Sequence, residues 1–303
     1  MTIQSGDGQF STIRNLVRST SAAGAELSNV LDSSVRLSGG LRKKGLLKDS
    51  AAGPLITVIT VTFNAQAMLE ATIVSVLEQT YDNIEYIVID GGSQDGTAAI
   101  IKRHEFAIDL WISESDRGIY DAMNKGICQA SGDWLNFLNA GDTFNSSSTL
   151  QTLVDQWIIP CGNSKRFIYS DVVLVHRNTS VETRLETYEC DHARKILNHQ
   201  ASVYSKALHR EYGLYLVARG LTISDYLFFS LIDSAYFTKA NIPIARYDVT
   251  GTSQSRSSVE QKFIIDYLIN GLSRPRFLIY FNLYFYFRQM KSFVARLRRY
   301  FAA

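Results

Sequence analysis

The chain has 303 residues, of which 46% are hydrophobic, and this is enough to bury the core of one large domain with extensions. The formal net charge is only +2, but residues 51–261 carry sixteen Lys and Arg against twenty-four Asp and Glu. This acidic balance argues against nucleic acid as a partner of the main domain, because phosphate contacts need clustered Lys and Arg.

Residues 1–52 are rich in Ser, Gly and Ala and have only weak helical patterns. We expect them to form a leader, either poorly ordered or a surface helix, ahead of a domain that spans residues 53–255. Residues 1–25 lack the apolar run of a secretory signal peptide. The three cysteines lack metal-type spacing, so we expect a reducing compartment.

Strands and helices alternate through the first half of the domain. The segments with strand character are residues 55–63, 84–90, 110–112 and 133–138, and apolar residues recur with helical spacing between them. This alternation predicts an α/β fold with a doubly wound, mostly parallel sheet and flanking helices. Every predicted strand ends in polar or acidic residues, so their carboxyl ends should share one polar crevice.

The second predicted strand runs into a carboxylate, Asp90, and then into the glycine-rich sequence GGSQDGT at residues 91–97. Asp90 would offer a fixed acceptor at the sheet edge, and the glycines would let the backbone approach a ligand closely. The helix that follows would present its N–H groups. This construction predicts a ligand site, with an ordinary strand-to-helix turn as the alternative.

Two long segments resemble a known family. The sequences VITVTFNAQAMLEATIVSVLEQTYDNIEYIVIDGGSQDGT at 58–97 and ISESDRGIYDAMNKGICQASGDWLNFLNAGD at 112–142 are similar to family 2 glycosyltransferases, the GT-A enzymes that build bacterial surface polysaccharides. With HQASVY at 199–204 and ISDYLF at 223–228, the resemblance covers about residues 54–253. It implies a GT-A fold and a nucleotide-sugar donor.

The resemblance also implies a donor site at the ends of the first strands. A buried carboxylate such as Asp90 would accept the N–H of a uracil-type imide. Asp95 can equally be a helix cap, and Asp121 and Lys125 can equally be a surface ion pair. The residues that the resemblance places at the nucleotide sugar are Thr62, Asn64, Asp90, Ser93, Asp116, Asn124 and Lys125.

The catalytic base implied by the resemblance is Asp225, at the start of a predicted helix. It would take the proton of the acceptor hydroxyl in a single displacement with inversion. A carboxylate that only stabilises the helix N-terminus is the alternative. His199 and Gln200 match the acceptor-side segment of the family.

The metal site departs from the family pattern. GT-A enzymes commonly end the fourth strand in two carboxylates, whereas residues 139–142 read Asn-Ala-Gly-Asp and leave only Asp142. Mg²⁺ can be held by one or two protein carboxylates together with phosphate oxygens and water, and Mn²⁺ suits the same ligands. We therefore expect a divalent cation, Mg²⁺ or Mn²⁺, at Asp142.

Residues 256–303 form a basic, aromatic extension. Within it, residues 277–301 place apolar side chains at steps of three and four residues and add cations mainly toward the end. This pattern predicts an amphipathic helix that contacts the surface of an anionic membrane. A helix packed on the catalytic domain or at a dimer interface is the alternative.

These observations predict an inverting glycosyltransferase of the hexosyltransferase type. It would move a sugar from a nucleotide diphosphate sugar to a glycan acceptor, expected to be lipid-linked, in polysaccharide biosynthesis. The expected location is cytoplasmic, peripheral at the inner face of the cell membrane. A catalytically weak nucleotide-sugar-binding or scaffold protein of an assembly complex is the alternative. An NAD-dependent oxidoreductase is disfavoured because no GxGxxG follows the first strand.

Overall fold

The computed structural model describes residues 16–18, 37–48, 53–162, 164–175, 182–185, 197–248 and 256–269, with isolated positions from 271 to 282. The strands are β1 (Leu16–Arg18), β2 (Leu37–Gly39), β3 (Leu46–Lys48), β4 (Ile56–Thr62), β5 (Ile84–Asp90), β6 (Leu110–Ser113), β7 (Trp134–Phe137), β8 (Thr143–Phe144), β9 (Phe167–Tyr169), β10 (Val172–Val175), β11 (Glu182–Leu185), β12 (Ser202–Ser205), β13 (Phe237–Lys239) and β14 (Ala245–Asp248). The α-helices are α1 (Leu69–Leu77), α2 (Thr97–Arg103), α3 (Ile119–Gln129), α4 (Thr149–Leu153), α5 (Ile159–Cys161), α6 (Ala207–Tyr212), α7 (Ser224–Leu231) and α8 (Arg256–Leu268). A π-helical turn, Val154–Ile158, joins α4 to α5, and short 3₁₀ helices lie at Leu41–Lys44 and Ser234–Tyr236.

The main sheet has eight strands in the order β13-β9-β12-β7-β4-β5-β6-β2. Its centre, β7-β4-β5-β6, is parallel throughout, as the alternating pattern predicted. Every residue of β4 and β5 is buried, which is the condition of parallel strands covered on both faces. The predicted α/β sheet, mostly parallel and flanked by helices, is confirmed.

The two faces of this sheet bury separate apolar clusters. On one face, Ile73 and Val76 of α1 pack against Tyr86 and Val88 of β5. On the other face, Met123 of α3 belongs to the cluster that includes residues of β4, β5 and β7. Ile100 and Ile101 of α2 also belong to the first cluster, so the chain changes face between α2 and α3.

A second sheet of four strands, in the order β11-β10-β14-β8, lies beside the first. Strand β8 begins directly after Asp142, and β14 pairs with it antiparallel. The last residue of β14, Asp248, donates its backbone N–H to Asp142 Oδ1 at 3.0 Å. The second sheet is therefore joined to the strand-end loop that follows β7.

Part of the predicted leader belongs to the main sheet. Strand β2 pairs antiparallel with β6, and the N–H groups of Leu41 and Arg42 donate to the carbonyls of Ile108 and Asp109 at 2.9 Å each. The Arg42 guanidinium donates to the Gln129 carbonyl at 2.7 Å. Residues 37–44 are thus a strand and a 3₁₀ helix against the sheet edge, and β3 pairs antiparallel with β1 in a separate two-stranded sheet. The domain boundary at residue 53 stays a prediction.

Helix α8 packs on the segment that leads into α7. The side chains of Ser258 and Gln261 bond to Thr222, and the hydroxyl of Tyr226 donates to Asp266. Most of the predicted amphipathic helix at 277–301 lies outside the residues that the structure describes. Within the described part of the chain, no helix combines the length and apolarity needed to cross a membrane.

Candidate active site

The predicted strand ends meet at one edge of the sheet. Thr62 and Asp90, the last residues of β4 and β5, are partners in the parallel ladder. The N–H of Gly91 donates to the Thr62 carbonyl at 2.9 Å, and the N–H of Ala140 donates to the Val61 carbonyl at 3.2 Å. The loops after β4, β5 and β7 are therefore tied to each other by backbone hydrogen bonds.

Asp90 is fully buried, and neighbouring hydroxyl and N–H groups satisfy it. The Ser113 hydroxyl donates to Oδ2 at 2.5 Å, and the Ser93 hydroxyl donates to Oδ1 at 2.5 Å. The Ser93 N–H lies 3.2 Å from Oδ2. Such donors offset the cost of removing a carboxylate from water. Sequence reasoning missed Ser113, although it is the ladder partner of Asp90 at the end of β6.

Asn64 joins the first loop to the second. Its φ of 48° lies in the left-handed region, which Asn tolerates better than most residues. Its N–H donates to the Ser93 hydroxyl at 2.7 Å, and its Oδ1 accepts the N–H of Gln94 at 2.9 Å. Thr62 lies beneath this junction, and its hydroxyl is buried without a hydrogen-bond partner in the described structure.

Asp95 and Asp116 hold loop backbone in different ways. Asp95 Oδ1 accepts the Thr97 N–H at 2.9 Å, so the capping alternative describes its observed contact. Asp116 Oδ1 accepts the Gly118 N–H at 2.8 Å, and burial raises the pKa of this carboxyl. A Cβ on Gly91 would overlap the Asp116 carboxylate, so a glycine is needed there.

The two residues predicted on α3 make contacts within the protein. Asn124 forms a reciprocal pair of hydrogen bonds with the backbone of Tyr215, at 2.8 and 3.0 Å. Lys125 Nζ lies 2.9 Å from Glu114 and 3.8 Å from Asp121. Lys125 therefore forms the ion pair with Asp121 that was the alternative prediction, and it forms a shorter ion pair with Glu114. Roles for both residues at the nucleotide stay predictions.

Asp225 stands at the first turn of α7 and connects the two halves of the domain. Tyr120 of α3 donates its hydroxyl to Asp225 Oδ1 at 2.7 Å, and His199 Nδ1 lies 2.9 Å from Asp225 Oδ2. On the other side of the ring, His199 Nε2 lies 2.9 Å from Nδ2 of Asn139, just beyond β7. The predicted base is thereby placed at the carboxyl edge of the sheet, beside an acceptor-side residue.

The environment of Asp225 favours its ionised form. Burial by itself raises the pKa of this carboxyl, but the hydrogen bonds from His199 and from the Tyr120 hydroxyl outweigh burial and lower it. About a fifth of the side chain, 19%, remains exposed. Sequence reasoning missed Tyr120 and Asn139; the only signal was that both lie in the motif segment at 112–142.

Asp142 is nearly buried, and both of its oxygens are bonded. Gln200 Nε2 donates to Oδ2 at 2.9 Å, while the Asp248 N–H occupies Oδ1. Burial raises its pKa to about 6. A divalent cation would favour the ionised form of Asp142. One lone pair on each carboxylate oxygen remains for the cation, so Asp142 fits a cation that is also bound by phosphate oxygens. Among the residues that the structure describes, no group of three His, Cys, Asp or Glu could hold a metal without such help.

Comparisons with known proteins agree with this geometry. A family profile described as Glycosyl transferase family 2 matches residues 57–212. A PGL/p-HBAD biosynthesis glycosyltransferase of Mycobacterium bovis is 30% identical over 220 residues, which are 70% of this chain and 84% of that protein. An uncharacterized glycosyltransferase of Mycobacterium tuberculosis is 44% identical over 105 residues, 34% of this chain and 40% of the relative. The chain thus spans less than half of that second relative.

Two solved structures share the fold. Residues 1–349 of S. aureus TarS in complex with UDP-GlcNAc superpose with a TM-score of 0.51 at 16% identity, covering 70% of this chain and 64% of that one. The mannosyltransferase PcManGT of Pyrobaculum calidifontis, in complex with GDP-Man and Mn²⁺, gives a TM-score of 0.50 at 18% identity, covering 71% and 61%. At these identities the likeness concerns the fold alone.

Proposed function

Since the chain belongs to glycosyl transferase family 2 and has the GT-A fold, we propose that it is an inverting glycosyltransferase of the hexosyltransferase type. It moves a sugar from a nucleoside diphosphate donor to a glycan acceptor. The observation that carries the proposal is the position of Asp225, which bonds to Tyr120 after the donor loops and to His199 on the acceptor side. This position supports one ionised carboxylate as the base between the two substrates.

The donor binds at the ends of β4, β5 and β6. Asp90 accepts from the base, and the loops that contain Asn64, Ser93 and Asp116 surround the ribose and phosphates. Solved proteins of this fold bind UDP-GlcNAc and GDP-Man, which supports a nucleotide sugar as the donor class. Uracil and guanine both carry a ring N–H, so either base suits a carboxylate acceptor.

The chemistry is a single displacement at the anomeric carbon. The acceptor oxygen forms a bond to that carbon, and the bond from the carbon to the phosphate oxygen breaks. Its electron pair leaves with the nucleoside diphosphate. Asp225 takes the acceptor proton, a step worth about 10²–10⁴-fold in rate when the base is well placed.

A divalent cation, Mg²⁺ or Mn²⁺, fits at Asp142. When bound, it supplies positive charge that stabilises the leaving diphosphate. Gln200 and the Asp248 N–H orient the carboxylate toward that role. A solved protein of this fold contains Mn²⁺ with its GDP-Man, which supports the use of a cation.

The acceptor is a glycan carried on a lipid, and the enzyme works at the inner face of the cell membrane. The name of the M. bovis relative places that protein in PGL/p-HBAD biosynthesis, which supports a glycoconjugate acceptor. The basic aromatic segment at 277–301 supports contact with an anionic surface.

Substitution of the base tests the proposal. Full-length protein is incubated with a panel of UDP- and GDP-sugars, and release of nucleoside diphosphate is measured with and without a glycolipid extract. Asp225→Asn should reduce transfer by about 10²–10⁴-fold and leave donor binding intact, because the side chain keeps its shape and loses its basicity. Asp155→Asn, on the exposed π-helical turn, is the matched control. Donor binding without transfer by the wild type would favour the scaffold alternative, and normal turnover by Asp225→Asn would refute the base.

Substitution of Asp142 tests the metal separately. Asp142→Asn removes the charge and keeps an acceptor for one of the two donors that face Asp142. If the cation binds there, this variant should lose any increase in UDP or GDP affinity that Mg²⁺ or Mn²⁺ gives the wild type. Titration calorimetry of both nucleotides, with each cation and with chelator, measures this. Equal nucleotide affinity of the wild type in chelator and in Mg²⁺ would exclude a metal bridge.

A further inference from the structure

His199 has a hydrogen-bond partner at each ring nitrogen. Nδ1 lies 2.9 Å from Asp225 Oδ2, and Nε2 lies 2.9 Å from Asn139 Nδ2. An amide nitrogen donates and cannot accept, so Nε2 must provide the lone pair. The ring proton is then on Nδ1, where it is donated to Asp225.

We propose that Asn139 fixes the tautomer of His199, and that His199 in turn orients the Asp225 carboxylate toward the acceptor hydroxyl. This inference rests on the proposed function. Asn139 and His199 are positioning residues, because the base alone touches the reacting proton. In the transfer step that proton moves to Asp225 as the acceptor oxygen bonds to the anomeric carbon and the diphosphate departs with its electron pair.

The geometry leaves the base little freedom. Tyr120 donates to Oδ1 and His199 to Oδ2, so both carboxylate oxygens are held by donors from different elements. These two contacts set the plane of the carboxylate, and 19% of the side chain remains exposed. A histidine with its proton on Nε2 would instead present a lone pair to the carboxylate and repel it.

The orientation of the Asn139 amide makes the proposal testable. Its Oδ1 is buried and has no hydrogen-bond partner in the described part of the structure. If the amide were turned over, Oδ1 would face Nε2 and require a proton there. The two orientations therefore predict different protonation of the same ring, which nitrogen NMR distinguishes.

The first experiment measures the tautomer in full-length protein. Ring ¹⁵N shifts of His199, assigned by comparison with a His199 variant, should show a neutral ring with the proton on Nδ1. Asn139→Leu keeps the approximate volume and removes the donor at Nε2, so only Asp225 still favours the Nδ1–H tautomer and the share of the Nε2–H tautomer should rise above that of the wild type. A proton on Nε2 in the wild type, or an unchanged Nδ1–H ring in Asn139→Leu, would overturn the assignment. This result does not depend on catalytic activity.

The second experiment separates positioning from packing. His199→Asn offers an amide N–H near the place of Nδ1, whereas His199→Phe fills the ring space without a donor. If His199 orients the base, Phe should lower kcat by about 10–100-fold with an unchanged donor KM, the scale of an orienting partner, and Asn should recover most of the loss. A loss in His199→Asn that His199→Phe does not show would mean that only the ring shape matters. Equal losses in both variants, with equal thermal stability, would mean that a donor at this place does not orient the base, and either result overturns the positioning role.

The two experiments also distinguish the failure of this inference from failure of the proposed function. If no donor is turned over by the wild type, the proposed glycosyl transfer fails whatever the tautomer. If transfer occurs and His199→Phe is as active as the wild type, the transfer stands and the positioning role is wrong.

Discussion

Individual aspartates at the site differ in protonation because their neighbours differ. Burial dominates at Asp142 and raises its pKa to about 6, whereas donors from His199 and Tyr120 overcome burial at Asp225 and lower its pKa. A carboxyl that is partly protonated near neutral pH suits a site where a cation displaces the proton. One that is fully ionised suits proton abstraction, although its basicity is correspondingly modest.

His209 should make stability depend on pH. It is buried, and its Nδ1 donates to the Gly213 carbonyl at 3.0 Å. The Tyr204 hydroxyl lies 3.0 Å from Nε2. Burial lowers its pKa to about 4. The unfolded chain binds this proton near pH 6.5, so the stability present above pH 6.5 should be lost as pH falls toward 4, by up to about 3 kcal/mol. Urea unfolding from pH 7 to about pH 4.5 measures the loss.

The contribution of His209 is measured by comparing a variant with the wild type at each pH. This is necessary because Asp142 and other buried carboxyls with a raised pKa make the protein more stable as pH falls, which is opposite to the effect of His209. The free energy of unfolding of His209→Gln should come closer to that of the wild type as pH falls. A difference in the free energy of unfolding between His209→Gln and the wild type that stays constant from pH 7 to about pH 4.5 would contradict the buried neutral ring.

At the scale of elements, hydrophobic pattern and strand ends were enough to predict β4, β5, β6 and β7 and the edge where they end. These strands are buried on both faces, and polar, acidic or glycine residues lie within two positions of their ends, so the signal is local. Strand β2 was not predicted, because a three-residue edge strand gains its stability from pairing with β6 rather than from its own pattern. Asn139 and Tyr120 were not predicted for a related reason: their partners are distant in sequence.

The segment at 37–48 should depend on Arg42. Its guanidinium reaches the Gln129 carbonyl and lies 3.4 Å from Glu85, which is only 2% exposed. Arg42→Met should lower the free energy of unfolding by about 2 kcal/mol, because hydrogen bonds to charged groups at buried partners are lost. Urea midpoints measure the change.

The control for Arg42 is an exposed ion pair of the same chemistry. Arg103 lies 2.7 Å from Glu70, but these side chains are 59% and 53% exposed. Exposed pairs contribute about 0–1 kcal/mol, so Arg103→Met should have little effect. Similar midpoints for the two variants would mean that residues 37–48 contribute little to stability.

At the scale of the whole molecule, the C-terminal segment should separate membrane contact from folding. Truncation after Gly271 should release the protein from anionic vesicles, because it removes the basic aromatic residues at 277–301, each cation being worth about 1 kcal/mol near such a surface. Helix α8 remains, with its contacts to Thr222 and Tyr226, so the domain should stay folded. Flotation of both forms with anionic and neutral vesicles measures this.

Two outcomes would contradict the membrane proposal. Full-length protein that floats equally with neutral and anionic vesicles would show that charge plays no part. A truncated form that is insoluble or melts at a much lower temperature would show that the segment packs on the domain, as in the alternative interpretation. Donor binding by the truncated form is the check that its site is intact.

The contacts around Asp225 also have a kinetic consequence. Tyr120 and Asp225 are 105 positions apart along the chain, and Asn139 and His199 are 60 apart. Closing such long loops costs conformational entropy before the contacts can stabilise the chain, so contacts of this range slow folding. The β4–β5 and β5–β6 ladders can form earlier, since each joins strands that follow each other along the chain. The base would thus be among the last groups to reach its place during folding, and a ribosome-bound chain that had not yet released α7 could hold a nucleotide sugar without being able to transfer it.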